Sequence, residues 1–114
     1  MSPLAQKIYR QLRKQLSRKD PSITYGELAD AIESHPRSRA MHSALTEVTQ
    51  ACRHSKLPAL PAIVWKSGAT HPSTGYYAAA HPRAQTDEAK QTAWERELQS
   101  VIDQRDDFPV TLGE

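Results

Sequence analysis

The sequence predicts an α+β fold, mainly α-helical, that forms a single domain over residues 1–114. Three observations support this fold class. A chain of 114 residues is long enough for one modest core but not for two. Apolar residues recur at helical spacing in four separate segments. A short run rich in β-branched and aromatic residues, Ala62–Trp65, is typical of a strand.

The first predicted helix covers residues 3–18 and lies within a basic N-terminal segment, residues 1–20. Its apolar residues fall every fourth position on one face, and basic residues occupy the opposite face. Asp20-Pro21-Ser22 then ends the helix as a turn. The apolar positions are Leu4, Ile8, Leu12 and Leu16.

Residues 23–56 are predicted to form a helix-turn-helix. Thr24 is a candidate N-cap and Glu27 stands three residues later, which is the spacing of a capping box. The helix that they begin is expected to end near Glu33, before Ser34-His35-Pro36. Pro36 suits the first turn of a third helix, over about 36–54. The expected buried stripe of this helix is Met41, Ala44, Leu45, Val48 and Cys52.

A β-hairpin, or wing, is predicted over residues 61–79, with Thr74–Ala78 as the returning strand. Thr86 is expected to cap an acidic C-terminal helix over 86–104, and Phe108-Pro109 is expected to fold back onto the core. Three helices, a hairpin and a final helix are the layout of a winged helix-turn-helix.

Charge is unevenly distributed although the net charge is only +2. Residues 1–20 carry six Lys or Arg against one Asp, whereas residues 84–114 carry three Lys or Arg against eight Asp or Glu. This asymmetry favours a basic face for a polyanion and an acidic face elsewhere. The alternative is that the two ends pack together and neutralise each other.

Several classes of function are disfavoured by what the sequence lacks. A single cysteine, Cys52, excludes an intrachain disulfide and suits the reducing cytoplasm, and no stretch approaches the roughly 20 apolar residues of a membrane span. His42 and Cys52 are too far apart along one helix to share a metal ion, so no metal site or cofactor is expected. Nuclease, nucleophile-elbow and P-loop signatures are also missing, so no catalytic residue is assigned.

The segment Ile23–Leu45 resembles the DNA-binding part of the alkylguanine-DNA alkyltransferases and alkyltransferase-like proteins. The resemblance rests on Ile23-Thr24-Tyr25-Gly26-Glu27-Leu28-Ala29 and on Arg39-Ala40-Met41, with fourteen residues from Tyr25 to Arg39. Ile63–Gly68 and Gly75-Tyr76 look like the strand, turn and Gly-x-Tyr region of that family. The resemblance implies that the third helix enters the minor groove, that Arg39 fills the gap left by an extruded base, and that Tyr25 contacts the DNA backbone.

The chain departs from this family at the alkyl acceptor. The family carries its acceptor cysteine in a Pro-Cys-His-Arg motif, whereas this chain has Ala59-Leu60-Pro61-Ala62 in about that place. No alkyl transfer is therefore expected. Cys52, in the third helix and without a neighbouring base, is interpreted as a buried structural cysteine.

The resulting hypothesis is a non-enzymatic module that binds duplex DNA. The candidate contact residues lie at the start of the second and third helices and on the hairpin: Tyr25, Arg37, Ser38, Arg39, His42, Lys66, His71 and Tyr76. The arginines could instead be solvated or paired with Asp30 and Glu33.

Two other functions stay open at this point. The first is a small protein-interaction or inhibitor module of a DNA-processing system, which would bind a partner through the acidic C-terminal helix. The second is an unrecognised ligand site or enzyme around His71, Tyr76, Tyr77 and His81.

Overall fold

A computed structural model describes residues 1–33 and 39–112. The elements in these ranges are mainly helical, as predicted, with one small parallel sheet. The strands are β1, Ile23–Thr24, and β2, Val64–Trp65. The α-helices are α1, Pro3–Gln15; α2, Tyr25–Ala31; α3, Arg39–His54; α4, Thr74–Ala80; and α5, Asp87–Asp103. Two short 3₁₀ helices cover Leu60–Ile63 and Arg105–Asp107.

Helix α1 packs against α3 to form the centre of the core. The Ser2 hydroxyl caps α1 by accepting a hydrogen bond from the Ala5 amide at 3.2 Å, and Pro3 fits the first turn, where no amide donor is needed. The inward faces of both helices follow the 3.6-residue period of the sequence. These faces comprise Ala5, Ile8, Tyr9 and Leu12 from α1 and Met41, Ala44, Leu45, Val48 and Cys52 from α3.

Helix α2 begins with the predicted capping box. The Glu27 amide donates to the Thr24 hydroxyl at 3.2 Å, and the Thr24 amide donates to the Glu27 carboxylate at 3.1 Å. These two bonds satisfy donors that every helix start leaves without a backbone partner. They confirm that the chain turns sharply from β1 into α2 at this point.

The predicted β-hairpin over residues 61–79 is wrong. Strand β2 pairs in parallel with β1, with Ile23 opposite Val64 and Thr24 opposite Trp65. The connection between them runs through α2 and α3, as a parallel pair requires. The expected return strand is instead helix α4, because three consecutive alanines favour a helix and Tyr76 and Ala80 bury one face. A winged helix is therefore not confirmed, although the α2–α3 order is as predicted.

The C-terminal half closes the core as expected. Thr86 caps α5 by accepting from the Ala89 amide at 3.0 Å, and Phe108 is buried. Tyr9 donates its hydroxyl to the Pro109 carbonyl, and Arg13 donates its Nε to the Phe108 carbonyl at 3.0 Å. The two ends therefore meet, through bonds to backbone carbonyls. No described helix is long and apolar enough to cross a membrane.

The two tryptophans give a matched test of the packing between α5 and the 3₁₀ helix Leu60–Ile63. Trp94 donates its indole N–H to the buried Ala62 carbonyl at 2.9 Å, whereas the buried Trp65 N–H has no partner among the described residues. Trp94→Phe should lower the free energy of unfolding by about 1–3 kcal/mol, because it leaves a buried carbonyl unsatisfied. Trp65→Phe should lower the free energy of unfolding by a smaller amount, because it removes no hydrogen bond among the described residues. Urea denaturation followed by circular dichroism measures both, and equal losses would contradict this assignment.

Candidate nucleic-acid interface

Tyr25 joins three parts of the structure at the start of α2. Its hydroxyl is hydrogen-bonded to the Ser73 hydroxyl, with the oxygens 2.7 Å apart. Its ring lies 5.3 Å from the His42 ring, centroid to centroid, at an angle of 38°. Only 8% of Tyr25 is exposed, and burial raises the pKa of its hydroxyl, which therefore stays neutral. Tyr25 thus holds α3 and the loop before α4 against α2.

The loop from Lys66 to Ser73 has a defined conformation. The Lys66 amide donates to the His71 carbonyl at 2.8 Å, and Gly68 takes a positive φ of 79° that other residues rarely adopt. The Gly26 amide donates to the Ser67 hydroxyl at 3.3 Å, which is a second bond from this loop to α2. Lys66 and His71 are both exposed on a loop that α2 fixes at two points.

The His71 ring is oriented by its neighbour. Its Nδ1 atom lies 2.8 Å from the Pro72 carbonyl, which can only accept a hydrogen bond. Nδ1 is therefore the protonated nitrogen, and Nε2 is the ring atom left for another partner.

Arg39 begins the described part of α3 and its side chain is exposed. Within residues 1–33 and 39–112, no carboxylate lies within 4.0 Å of its guanidinium, so neither Asp30 nor Glu33 neutralises it there. His42 is also exposed, one turn further along the helix. Arg37 and Ser38, the other predicted contact residues of this region, lie outside the described residues.

A groove lies between α1 and the end of α2. It has a volume of about 320 Å³ and is lined by three cationic side chains and one carboxylate. Those four residues are Lys7, Arg10, Lys14 and Glu33. The basic face predicted for the first helix is thus present, and it borders the end of α2 at Ile32 and Glu33.

The structure places Tyr76 in the interior rather than on the surface. It is 5% exposed, and its hydroxyl lies 2.9 Å from Nε2 of His81. Burial raises the pKa of the Tyr76 hydroxyl, and nearby Glu97 adds to this rise. Tyr25 and Tyr76 therefore position other groups and do not offer free hydroxyls to a ligand.

A polar cluster that is buried at Glu97 and exposed at Arg53 lies beside Tyr76. Arg53 and Glu97 form an ion pair that joins α3 to α5, and Arg53 also donates to the Ala80 carbonyl at 3.2 Å. Arg53 thereby links α4 directly to α3, and through its ion pair with Glu97 to α5. Sequence analysis did not find this cluster, because Glu97 falls in a run, Glu95-Arg96-Glu97, that is typical of a solvated helix face.

The segment Ala59–Ala62, where the alkyltransferase resemblance would place the acceptor cysteine, carries no nucleophilic side chain. Pro61 and Ala62 are buried in the 3₁₀ helix, and a cavity of only about 50 Å³ separates Pro61 from Tyr25 and Tyr76. Cys52 is fully buried, as expected, and burial raises the pKa of its thiol to about 11. Because the thiolate is the reactive form, Cys52 is unreactive near neutral pH.

Two further observations concern the site as a whole. In the part of the chain that the structure describes, no three His, Cys, Asp or Glu side chains form a group that could hold a metal ion. Comparison of the chain with protein-family models, curated proteins and solved structures finds no match.

The link between α2 and the loop before α4 can be measured by a double-mutant cycle. Tyr25→Phe and Ser73→Ala each remove one partner of the same hydrogen bond. The two changes should therefore be non-additive, with a coupling free energy of about 0.5–1.5 kcal/mol. Urea denaturation of the four proteins gives this coupling. Additive losses would show that the bond contributes nothing to stability.

The polar cluster predicts a loss of stability in mild acid. Burial lowers the pKa of His81 from its ordinary value of 6.5, with nearby Arg53 acting in the same direction and Glu97 opposing it. The unfolded chain therefore binds a proton before the folded chain does, so stability falls as pH drops below about 6.5. His81→Gln should reduce this dependence. His54→Gln, which changes an exposed histidine at the end of α3, should retain the wild-type dependence. Denaturation midpoints between pH 5 and 8 would test both variants, and identical profiles would contradict the prediction.

Proposed function

We propose that this chain is a non-enzymatic module that binds duplex DNA through the start of α3 and the loop from Lys66 to Ser73. The observation that carries the proposal is the exposed guanidinium of Arg39, which has no carboxylate partner among the described residues. Arg39 is the first described residue of α3, and His42, on the next turn of the helix, is also exposed. Both therefore lie on one face of α3.

Tyr25 supports the proposal by fixing the relative positions of the contact groups. It contacts His42 through its ring and the loop of Lys66 and His71 through Ser73. Two cations from separate elements, Arg39 and Lys66, are thereby presented on a rigid support. Rigid positioning lowers the entropy cost of binding a phosphate backbone.

The loop from Lys66 to Ser73 would take the part that a hairpin wing plays in a winged helix. In this proposal α3 enters a groove, Lys66 contacts a phosphate, and His71 lies beside it on the same loop. Arg37 and Ser38, which precede Arg39 in the sequence, contribute further contacts. Lys7, Arg10 and Lys14 would add contacts beside α2. The role that the alkyltransferase resemblance implies for Arg39, insertion in place of an extruded base, belongs to this proposal as well.

The absence of a usable acceptor supports a binding role rather than alkyl transfer. Cys52 is buried with a raised thiol pKa, and the Pro61-Ala62 site carries no nucleophilic side chain. A protein of this kind would recognise DNA without modifying it.

A second candidate function is binding of a basic protein partner through α5. Exposed carboxylates at Glu95 and Asp103 are hydrogen-bonded to Gln91 and Gln99 of the same helix rather than to cations. No cation of the described residues pairs with either carboxylate, so both are available to a basic partner. Capture of a partner that survives nuclease treatment and is lost in the double variant Glu95→Gln, Asp103→Gln would support this function.

Paired charge removals on α3 test DNA binding. Arg39→Gln removes a cation at the proposed interface, and Lys56→Gln removes an exposed cation just beyond the other end of the helix, about 25 Å away at 1.5 Å per residue. Arg39→Gln should weaken binding and reduce the slope of log affinity against log salt by about 0.9, the value for one phosphate contact on B-DNA. Lys56→Gln should leave the slope unchanged.

Mobility shifts or fluorescence anisotropy on a short duplex, between 50 and 200 mM salt, would supply these slopes. Equal behaviour of the two variants, or no binding by the wild-type chain at low salt, would overturn the proposal.

A further inference from the structure

A cavity of about 420 Å³ lies where the loop after β2 meets the starts of α4 and α5. This volume falls within the range of roughly 300–1,000 Å³ that small-molecule sites occupy. Its lining consists almost entirely of side chains that donate or accept hydrogen bonds. The residues are Lys66, His71, Pro72, Ser73, Thr74, Tyr77, Asp87, Lys90 and Gln91.

The cavity is cationic. Its lining includes two lysines, Lys66 and Lys90, and one carboxylate, Asp87. In residues 1–33 and 39–112, no carboxylate comes within 4.0 Å of either lysine, so both ammonium groups are available to pair with a ligand. These groups suit a phosphate monoester, which carries close to two negative charges and several acceptor oxygens.

The cavity also offers a fixed aromatic ring. Tyr77 is half-buried, and its ring meets the Tyr76 ring edge-on, with centroids 5.3 Å apart at 74°. Tyr76 is in turn held by His81. A ring restrained in this way presents a face on which a planar base can stack.

Helix α5 supplies groups that can recognise the edge of a base. Asp87 and Gln91 are four residues apart and therefore lie on one face of α5, both lining the cavity. A carboxylate accepts hydrogen bonds, and an amide both donates and accepts them. Together with Tyr77 they provide stacking and edge recognition at one end of the charged lining.

We propose that this cavity binds a nucleoside 5′-monophosphate, with the phosphate at Lys66 and Lys90 and the base on Tyr77. The same chemical unit occurs as a free nucleotide and as the 5′-phosphorylated end of a DNA strand. The site does not include Arg39 or His42 of α3, but it shares Lys66 and His71 with the loop that the proposed function assigns to DNA.

The test measures binding of the four ribonucleoside and four deoxyribonucleoside 5′-monophosphates to the whole chain by isothermal titration calorimetry. The matching nucleosides serve as ligands without the phosphate. At least one monophosphate should bind, and its nucleoside should bind about tenfold or more weakly, because it lacks the charged hydrogen bonds to the lysines. A 5′-phosphorylated oligonucleotide, compared with its 5′-hydroxyl form, identifies the strand end as the source. If the free nucleotide binds more strongly than the 5′-phosphorylated oligonucleotide, the ligand is a free nucleotide rather than a strand end.

Two variants of α5 locate the site. Lys90→Gln should weaken binding of the monophosphate about tenfold or more, whereas Arg96→Gln, which removes an exposed cation of α5 outside the cavity, should not. Tyr77→Leu should weaken binding of the monophosphate and, to a similar extent, of the nucleoside, because stacking does not depend on the phosphate. Duplex affinity should be unchanged in Lys90→Gln and reduced in Arg39→Gln, so the two proposals fail separately. Absence of binding at millimolar nucleotide, or equal effects of Lys90→Gln and Arg96→Gln, would overturn the inference.

Discussion

The contacts of Tyr25 are the constraint on which the proposed surface depends. One buried side chain packs its ring against His42 of α3 and bonds its hydroxyl to Ser73 before α4. Burial makes this bond worth more than an exposed one, because an unpaired hydroxyl in the interior would cost about 1–3 kcal/mol. A residue that the sequence suggested as a DNA contact is therefore better understood as the support of the residues that would make such contacts.

The parallel pairing of β1 with β2 also fixes the position of the loop from Lys66 to Ser73, in this case through the backbone. Because β2 lies beside β1, the chain leaves the sheet close to the start of α2, where the Gly26 amide meets the Ser67 hydroxyl. A hairpin would have returned the chain beside β2 and placed the loop at a free tip. The observed pairing instead fixes the loop from Lys66 to Ser73 against α2, and the same loop lines the cavity of about 420 Å³.

Most of the helical structure was predictable because its signals are local. The Thr24–Glu27 capping box, the Thr86 cap and the apolar stripe of α3 all follow from residues within a few positions of each other. The strand pairing was not predictable, since β1 and β2 are two residues each and lie forty residues apart. Two adjacent tyrosines at 76–77 favoured a strand, but the alanines that follow and burial of Tyr76 and Ala80 decide for a helix.

The candidate site was predictable only where its features depend on local sequence. Exposure of Arg39, His42, Lys66 and His71 follows from their places outside the apolar stripes. Tyr25 is hydrogen-bonded to Ser73, which lies far along the chain, and periodicity does not reveal such a partner. Tyr76 pairs with His81, only five residues away, but the predicted strand placed both of its neighbours differently. The Arg53–Glu97 pair likewise joins two helices that sequence analysis treated separately.

The bonds from Tyr9 and Arg13 to the carbonyls of Pro109 and Phe108 have a consequence for biosynthesis. They join positions 100 and 95 residues apart. Helix α1 therefore leaves the ribosome long before the segment that covers it, and its apolar face stays without that cover until residue 109 has been made. Helix α1 can pack on α3 as soon as α3 has been made, but the part of its face that Phe108 and Pro109 cover closes only after Pro109 has been added.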